Sequence, residues 1–96
     1  MHSNIYKISL WNPNVNYYWV EISDSNITND ILYNGAVMAY MGDTTLWNAL
    51  PYANLNDEWR YYCQLNTVRM VYLHADGTAA TYPGLRTFKV VTIAGQ

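Results

Sequence analysis

The feature that most restricts this chain is the period of its apolar pattern, which is two almost throughout its 96 residues. In NYYWVEIS (16–23), Tyr18, Val20 and Ile22 alternate with Tyr17, Trp19 and Glu21, the pattern of a strand that covers a core with one side only. In 5–11, Tyr6, Ile8 and Leu10 face one way and Lys7 and Ser9 the other. Segments 36–41, 46–52, 59–65, 67–74 and 85–93 also read as extended. In 59–65 the alternation groups Trp59 with Tyr61 and puts Tyr62 on the other side, and in 85–93 it groups Phe88, Val90 and Thr92. Pro51 cannot donate to a ladder, so 46–52 reads as an edge strand or a segment lying over the core.

Turn chemistry separates these runs. Asn12-Pro13-Asn14, the GDTT stretch at 42–45, the polar 53–58 segment and Asn66 mark turns. Asp76-Gly77 is a hairpin signal, with a weak strand expected at 79–82 before Pro83-Gly84. The 24–35 segment breaks the alternation. It reads as one helical turn, N-capped by Thr28 and closed at Asn34-Gly35 in a left-handed conformation; a hairpin turn at Asn34-Gly35 is the rival reading. About seven to eight short strands, with turns roughly every ten residues, predict an all-β fold: one antiparallel β-sandwich domain over 1–96 with one short helical turn.

The composition narrows the function classes. Half the residues are apolar, 16% are aromatic and only 12% are charged, about half the usual ~25%. The net charge of −2 and the lack of a basic stripe exclude the electrostatic footprint of a nucleic-acid binder. No long apolar run or polybasic cluster predicts membrane insertion. The single cysteine, Cys63, rules out an intrachain disulfide. The N-terminal MHSNIYKISLW lacks the basic and apolar regions of a signal peptide, so the export expected below implies a mature or excised piece.

The spacing Ile27-Thr28, Gly35, Val37, Tyr40, Trp47 and Leu50-Pro51-Tyr52, closed by FKVVTI (88–93), resembles uncharacterised small β-sandwich modules of bacterial secreted and cell-surface proteins, some of them C-terminal to collagen-like stalks. The resemblance spans roughly 5–93. It implies an extracellular sandwich with a structural or adhesive role, and it brings no active-site residues with it.

No catalytic constellation emerges from the residues. All the acids except Glu21 (Asp24, Asp30, Asp43, Asp57, Glu58 and Asp76) lie in or beside expected turns, where such residues bond their own backbone. Cys63 sits in an aromatic strand, where a small buried apolar side chain is the default. His2 falls in an expected tail, and His74 ends a strand. Two His and one Cys far apart do not form a zinc set. The turns at Asp43 and Asp57-Glu58 lack a calcium-loop motif, and the glycines form no phosphate loop. No enzyme activity and no cofactor are therefore expected.

The aromatic side chains remain. Tyr17, Trp19, Trp47, Tyr52, Trp59 and Tyr61 are the candidate binding or interface residues. In the stretch 35–54, Val37, Ala39 and Met41 are expected in the core, Trp47 and Leu50 as a lid over the sandwich end, and Pro51 and Tyr52 at its rim. The leading expectation is a non-catalytic structural or interaction module of an exported bacterial protein, secreted or at the cell surface. It would self-associate or meet another protein through weakly charged aromatic surfaces. The second is a carbohydrate-binding module that offers Trp and Tyr rings to polysaccharide.

Overall fold

A computed structural model describes residues 1–43 and 45–95. Thr44, within the turn expected at 42–45, and Gln96 lie outside the described residues. The chain forms β1 (His2–Ile8), β2 (Asn12–Pro13), β3 (Tyr17–Ser23), α1 (Asn29–Asn34), β4 (Ala36–Gly42), β5 (Trp47–Ala49), β6 (Tyr52–Asn54), β7 (Asp57–Gln64), β8 (Thr67–His74) and β9 (Arg86–Ile93). They build two antiparallel sheets, one ordered β1-β9-β4-β5 and the other β2-β3-β8-β7-β6. The fold is the expected all-β sandwich, with two very short strands added at the margins.

The alternation sets the inner faces. Val68, Met70 and Tyr72 of β8, Phe88 and Val90 of β9, Ile22 of β3, Ala39 of β4 and Trp59 of β7 meet in one core, with Trp11, Ile27 and Leu50 closing it from connecting segments. Val37 and Met41 pack beside Ala39 as expected. The aromatic centre is dense. Trp59 stacks on Tyr72 at 4.4 Å between centroids, and Trp11 meets Trp59 at 5.7 Å and Phe88 at 5.9 Å edge-on. Such contacts add stability beyond the area they bury.

The helical turn forms where it was expected. Thr28 Oγ1 accepts from the Ile31 amide, and Ile31 is buried under the turn. Its C-terminal end differs from expectation: Gly35 is extended, at φ −112°. Glycine is required there for space, because a Cβ would run into the carbonyl oxygens of Ile93 and Ile31. Asp24 is 3% exposed and ties three segments together. Its carboxylate accepts from Tyr6 Oη at 2.8 Å and from the Asn26 amide at 2.9 Å, while its own amide donates to the Asn66 carbonyl of the β7–β8 turn.

Three further expectations change. The first strand begins at His2, so His2 is not in a tail. It ends at Ile8, leaving Leu10 82% exposed, while Trp11 turns inward and its indole donates to the Gly84 carbonyl. Asp76-Gly77 makes a turn but no hairpin. The Asp76 carboxylate accepts from the Thr78 amide and hydroxyl, and residues 78–85 then cross to the other sheet without forming a strand. Tyr82 holds that crossover, donating to the Ser9 carbonyl and accepting from the Trp11 amide. Lastly, Trp47 is no lid: it lies in β5 beside β4, and only Leu50 enters the core.

Candidate functional site

Because Trp59, Tyr61, Cys63, Val68, Met70 and Tyr72 face inward, the alternate residues of β7 and β8 face out. Register pairs these with β3 in three rows across the sheet: Tyr17–Leu73–Glu58, Trp19–Val71–Arg60 and Glu21–Arg69–Tyr62. The result is an open trough of about 540 Å³ on the outer face of the five-stranded sheet, within the size range of small-molecule sites. Val71 and Leu73 line its floor, Tyr17 and Tyr62 are its aromatic walls, and Arg60, Arg69, Glu21, Gln64 and Thr67 bring polar groups to it. Tyr62 is 53% exposed.

The charged groups are fixed in pairs. Arg69 bonds Glu21 directly across the β3–β8 ladder, and its guanidinium lies 4.4 Å from the centre of the Trp19 ring. Arg60 bonds Glu58 at 2.7 Å on its own strand. Glu58, and after it Tyr62, hold the Arg60 guanidinium above its already high pKa. Glu21 within the trough and Glu58 beside it, each bonded to one arginine, balance the two guanidinium charges. Each guanidinium is also positioned before any ligand arrives, which lowers the ordering cost of binding. An arginine in this setting still has N–H groups left to donate.

The six candidate residues separate. Tyr17 and Trp19 lie on this outer face, although Arg69 covers one side of the Trp19 ring. Trp47 is on the outer face of the opposite sheet, where the Lys89 ammonium sits 4.8 Å from its ring and 5.0 Å from that of Tyr40. Trp59 cannot be a platform, because it is 4% exposed at the centre of the core. Tyr61 also points inward; its hydroxyl donates to the Val37 carbonyl across the sandwich, and burial raises its pKa. Tyr52, opposite Trp59 in the ladder, packs against the same core. Aromatic bulk in the core won over exposure at these three positions, since a small domain gains much from burying large rings.

Sequence reasoning missed Arg60, Tyr62, Gln64 and Arg69. A signal for them existed: if Cys63 is a buried small side chain, alternation puts Arg60, Tyr62 and Gln64 on the outside.

Other titratable groups are held apart or used within the fold. Cys63 pairs with Val68 and His74 with Asp57, six residues apart along β8, or roughly 20 Å. Burial pushes the Cys63 thiol up, away from the thiolate. The Asp43 carboxylate accepts from the Thr45 hydroxyl and amide and from the Leu46 amide, which lowers its pKa. Asp57 accepts from the Tyr72 hydroxyl at 2.7 Å. Among the described residues no three His, Cys, Asp or Glu side chains are grouped to hold a metal ion, and no helix is long and apolar enough to cross a membrane.

No family model, curated protein or solved structure matches the chain.

Proposed function

We propose that this domain is a non-catalytic recognition module of an exported bacterial protein, and that it binds a neutral oligosaccharide in the trough between β3, β8 and β7. One observation carries the ligand class: the exposed ring of Tyr62, the half-buried ring of Tyr17 and two paired, charge-balanced arginines share one open groove. Sugars present both apolar C–H faces and rows of hydroxyls. Tyr17 and Tyr62 suit the first; Arg60, Arg69, Gln64 and the glutamates suit the second, with donors and acceptors both present. Tyr17 and Tyr62 are two strands apart, and their β8 partners Leu73 and Arg69 are four residues apart. At ~4.8 Å per strand and ~3.3 Å per residue the two rings are set roughly 16 Å apart, so the groove suits a short chain of sugars better than one ring. The low content of charged residues and the many Asn, Thr and Tyr side chains support the exported setting.

The test is calorimetric titration with neutral glucan, xylan and mannan oligosaccharides at low and high salt. The reading expects one of these series to bind with an affinity that salt barely changes, because the groove has no net charge to screen. Tyr62→Ala and Arg69→Ala should each abolish the heat while the unfolding midpoint stays near that of the parent. Binding confined to acidic glycans and lost in salt would overturn the neutral class. Silence across the whole panel would overturn the sugar reading.

A further inference from the structure

A sheet edge exposes unpaired backbone donors and acceptors, and natural β-proteins blunt their edges by keeping them short or by placing Pro and bulges on them. Three of the four edges here are blunted in this way. β5 and β6 are three residues long, and β2 is two residues long with Pro13 in it. The fourth is not: β1 runs seven residues, His2–Ile8, and among the described residues it is bonded on one side only, to β9. Its ladder is unbroken from His2↔Thr92 to Ile8↔Arg86, so no bulge interrupts it. It contains no proline, and among the described residues the positive-φ positions all lie elsewhere.

We propose that β1 is the contact through which two copies of this chain associate, antiparallel about Ile5, joining two four-stranded sheets into one of eight strands. A bare strand edge is complementary only to another extended strand, and an antiparallel two-fold contact lets one sequence supply both sides. The side chains fit this register. Ile5, the midpoint, is 54% exposed on the outer face and meets its own copy. Lys7, the only charged side chain of β1 at neutral pH with histidine neutral, falls opposite Ser3 of the second copy. No like charges meet. Asn4 and Tyr6 face inward and keep their bonds to Asp24. On the outer face Ile5 stands in the row of Lys89 and Tyr40, and Ser3 in the row of Val91 and Met38, so the contact sets the Ile5 pair at the centre of a mixed surface. In the other layer β2 spans only two residues, so it builds no full-length rim beside β1. The proposal is independent of the trough.

Sedimentation equilibrium from micromolar to millimolar protein tests it through the register. Ser3→Glu sets a carboxylate opposite Lys7 of the second copy and should tighten the dimer, whereas Ser3→Lys should weaken it. Each cross-strand pair is worth ~0.2–1 kcal/mol and occurs twice, so the dissociation constant should move about 2- to 30-fold in opposite directions. Adding Lys7→Glu to Ser3→Lys should restore association, Ile5→Lys should abolish it, and Tyr62→Ala should leave it unchanged. All of these positions are exposed, so unfolding midpoints serve as the control for folding. A monomer at every concentration, or an oligomer whose affinity ignores both Ser3 variants, overturns the proposal.

Discussion

Trp59 decides between two accounts of this protein, because its position in the alternation suits either a binding platform or a core. The structure puts it at 4% exposure, stacked on Tyr72 and in contact with Trp11 and Phe88. Truncating a buried Trp or Phe to Ala costs ~3–5 kcal/mol through lost burial and the cavity left behind. A domain of this length has roughly 5–14 kcal/mol in all, at ~0.05–0.15 kcal/mol per residue. Trp59→Ala should therefore consume between about a fifth and all of the stability, and lower the thermal midpoint by about 12 °C or more at ~4–8 °C per kcal/mol. Trp59→Phe keeps a ring against Tyr72 and should lose less, on the order of 1–2 kcal/mol. Tyr62→Ala, at a 53% exposed position, should stay within about 0.5 kcal/mol of the parent. Urea unfolding followed by far-ultraviolet circular dichroism measures all three. A Trp59→Ala protein that unfolds within 1 kcal/mol of the parent yet loses sugar binding would refute the packing argument and restore Trp59 as a platform.

Other consequences are as specific. Leu55 is 97% exposed at φ 55° in the β6–β7 turn, a conformation that costs an L-residue ~1–2 kcal/mol, partly offset on changing to glycine by that residue's freedom in the unfolded chain. Leu55→Gly should therefore raise stability by about 0.5–1 kcal/mol, and a loss would contradict the strain. Asp24→Ala strips the acceptor from the Tyr6 hydroxyl and the Asn26 amide and should cost about 1–3 kcal/mol; its effect and that of Tyr6→Phe should fail to add in a double-mutant cycle. Burial, followed by the bonds to Asp24 and Asp57, pushes the Tyr6 and Tyr72 hydroxyls up to about 12 from 10.0. Folded-state values above the unfolded one mean that this stabilisation is complete below pH 10 and is lost as pH climbs from 10 to 12. In an absorbance titration of tyrosinate these two should ionise well above the ordinary value of 10.0, and Tyr6→Phe should flatten the alkaline fall in unfolding free energy. An unchanged slope in that variant would count against the Tyr6–Asp24 pair.

The alternation made the strands legible, but on some of them it left the direction of each face open. In β9, Lys89 and Thr87 pointed the Phe88 side inward although Val91 and Ile93 are apolar on the other side, and Phe88, Val90 and Thr92 are all buried. In β7 both sides carry tyrosine. Trp59 and Tyr61 were grouped correctly, and Arg60 and Gln64 as their alternates marked the opposite side as the outer one; the arginines of the trough went unnoticed because only aromatic rings were weighed as binding groups. β8 obscured the choice further, since Val71 and Leu73 are apolar on the outer face as well. Asp76-Gly77 had the local chemistry of a hairpin. What overrode it was distant: Tyr82 bonds Ser9 and Trp11 across the sandwich end, and a sequence window around residue 77 contains neither partner. The cap at Thr28 was readable because its partners lie within three residues.

We propose above that the outer face of β3, β8 and β7 holds a neutral sugar chain. The most direct measurement is an NMR titration of the labelled domain with the neutral oligosaccharide series. It should follow backbone amides together with the arginine side-chain N–H signals. Saturable shifts are expected at Arg60, Arg69, Tyr62, Gln64 and Tyr17, with the amides of β1, β4 and β5 unmoved. Shifts confined to the four-stranded sheet, or none at any sugar concentration, would contradict it.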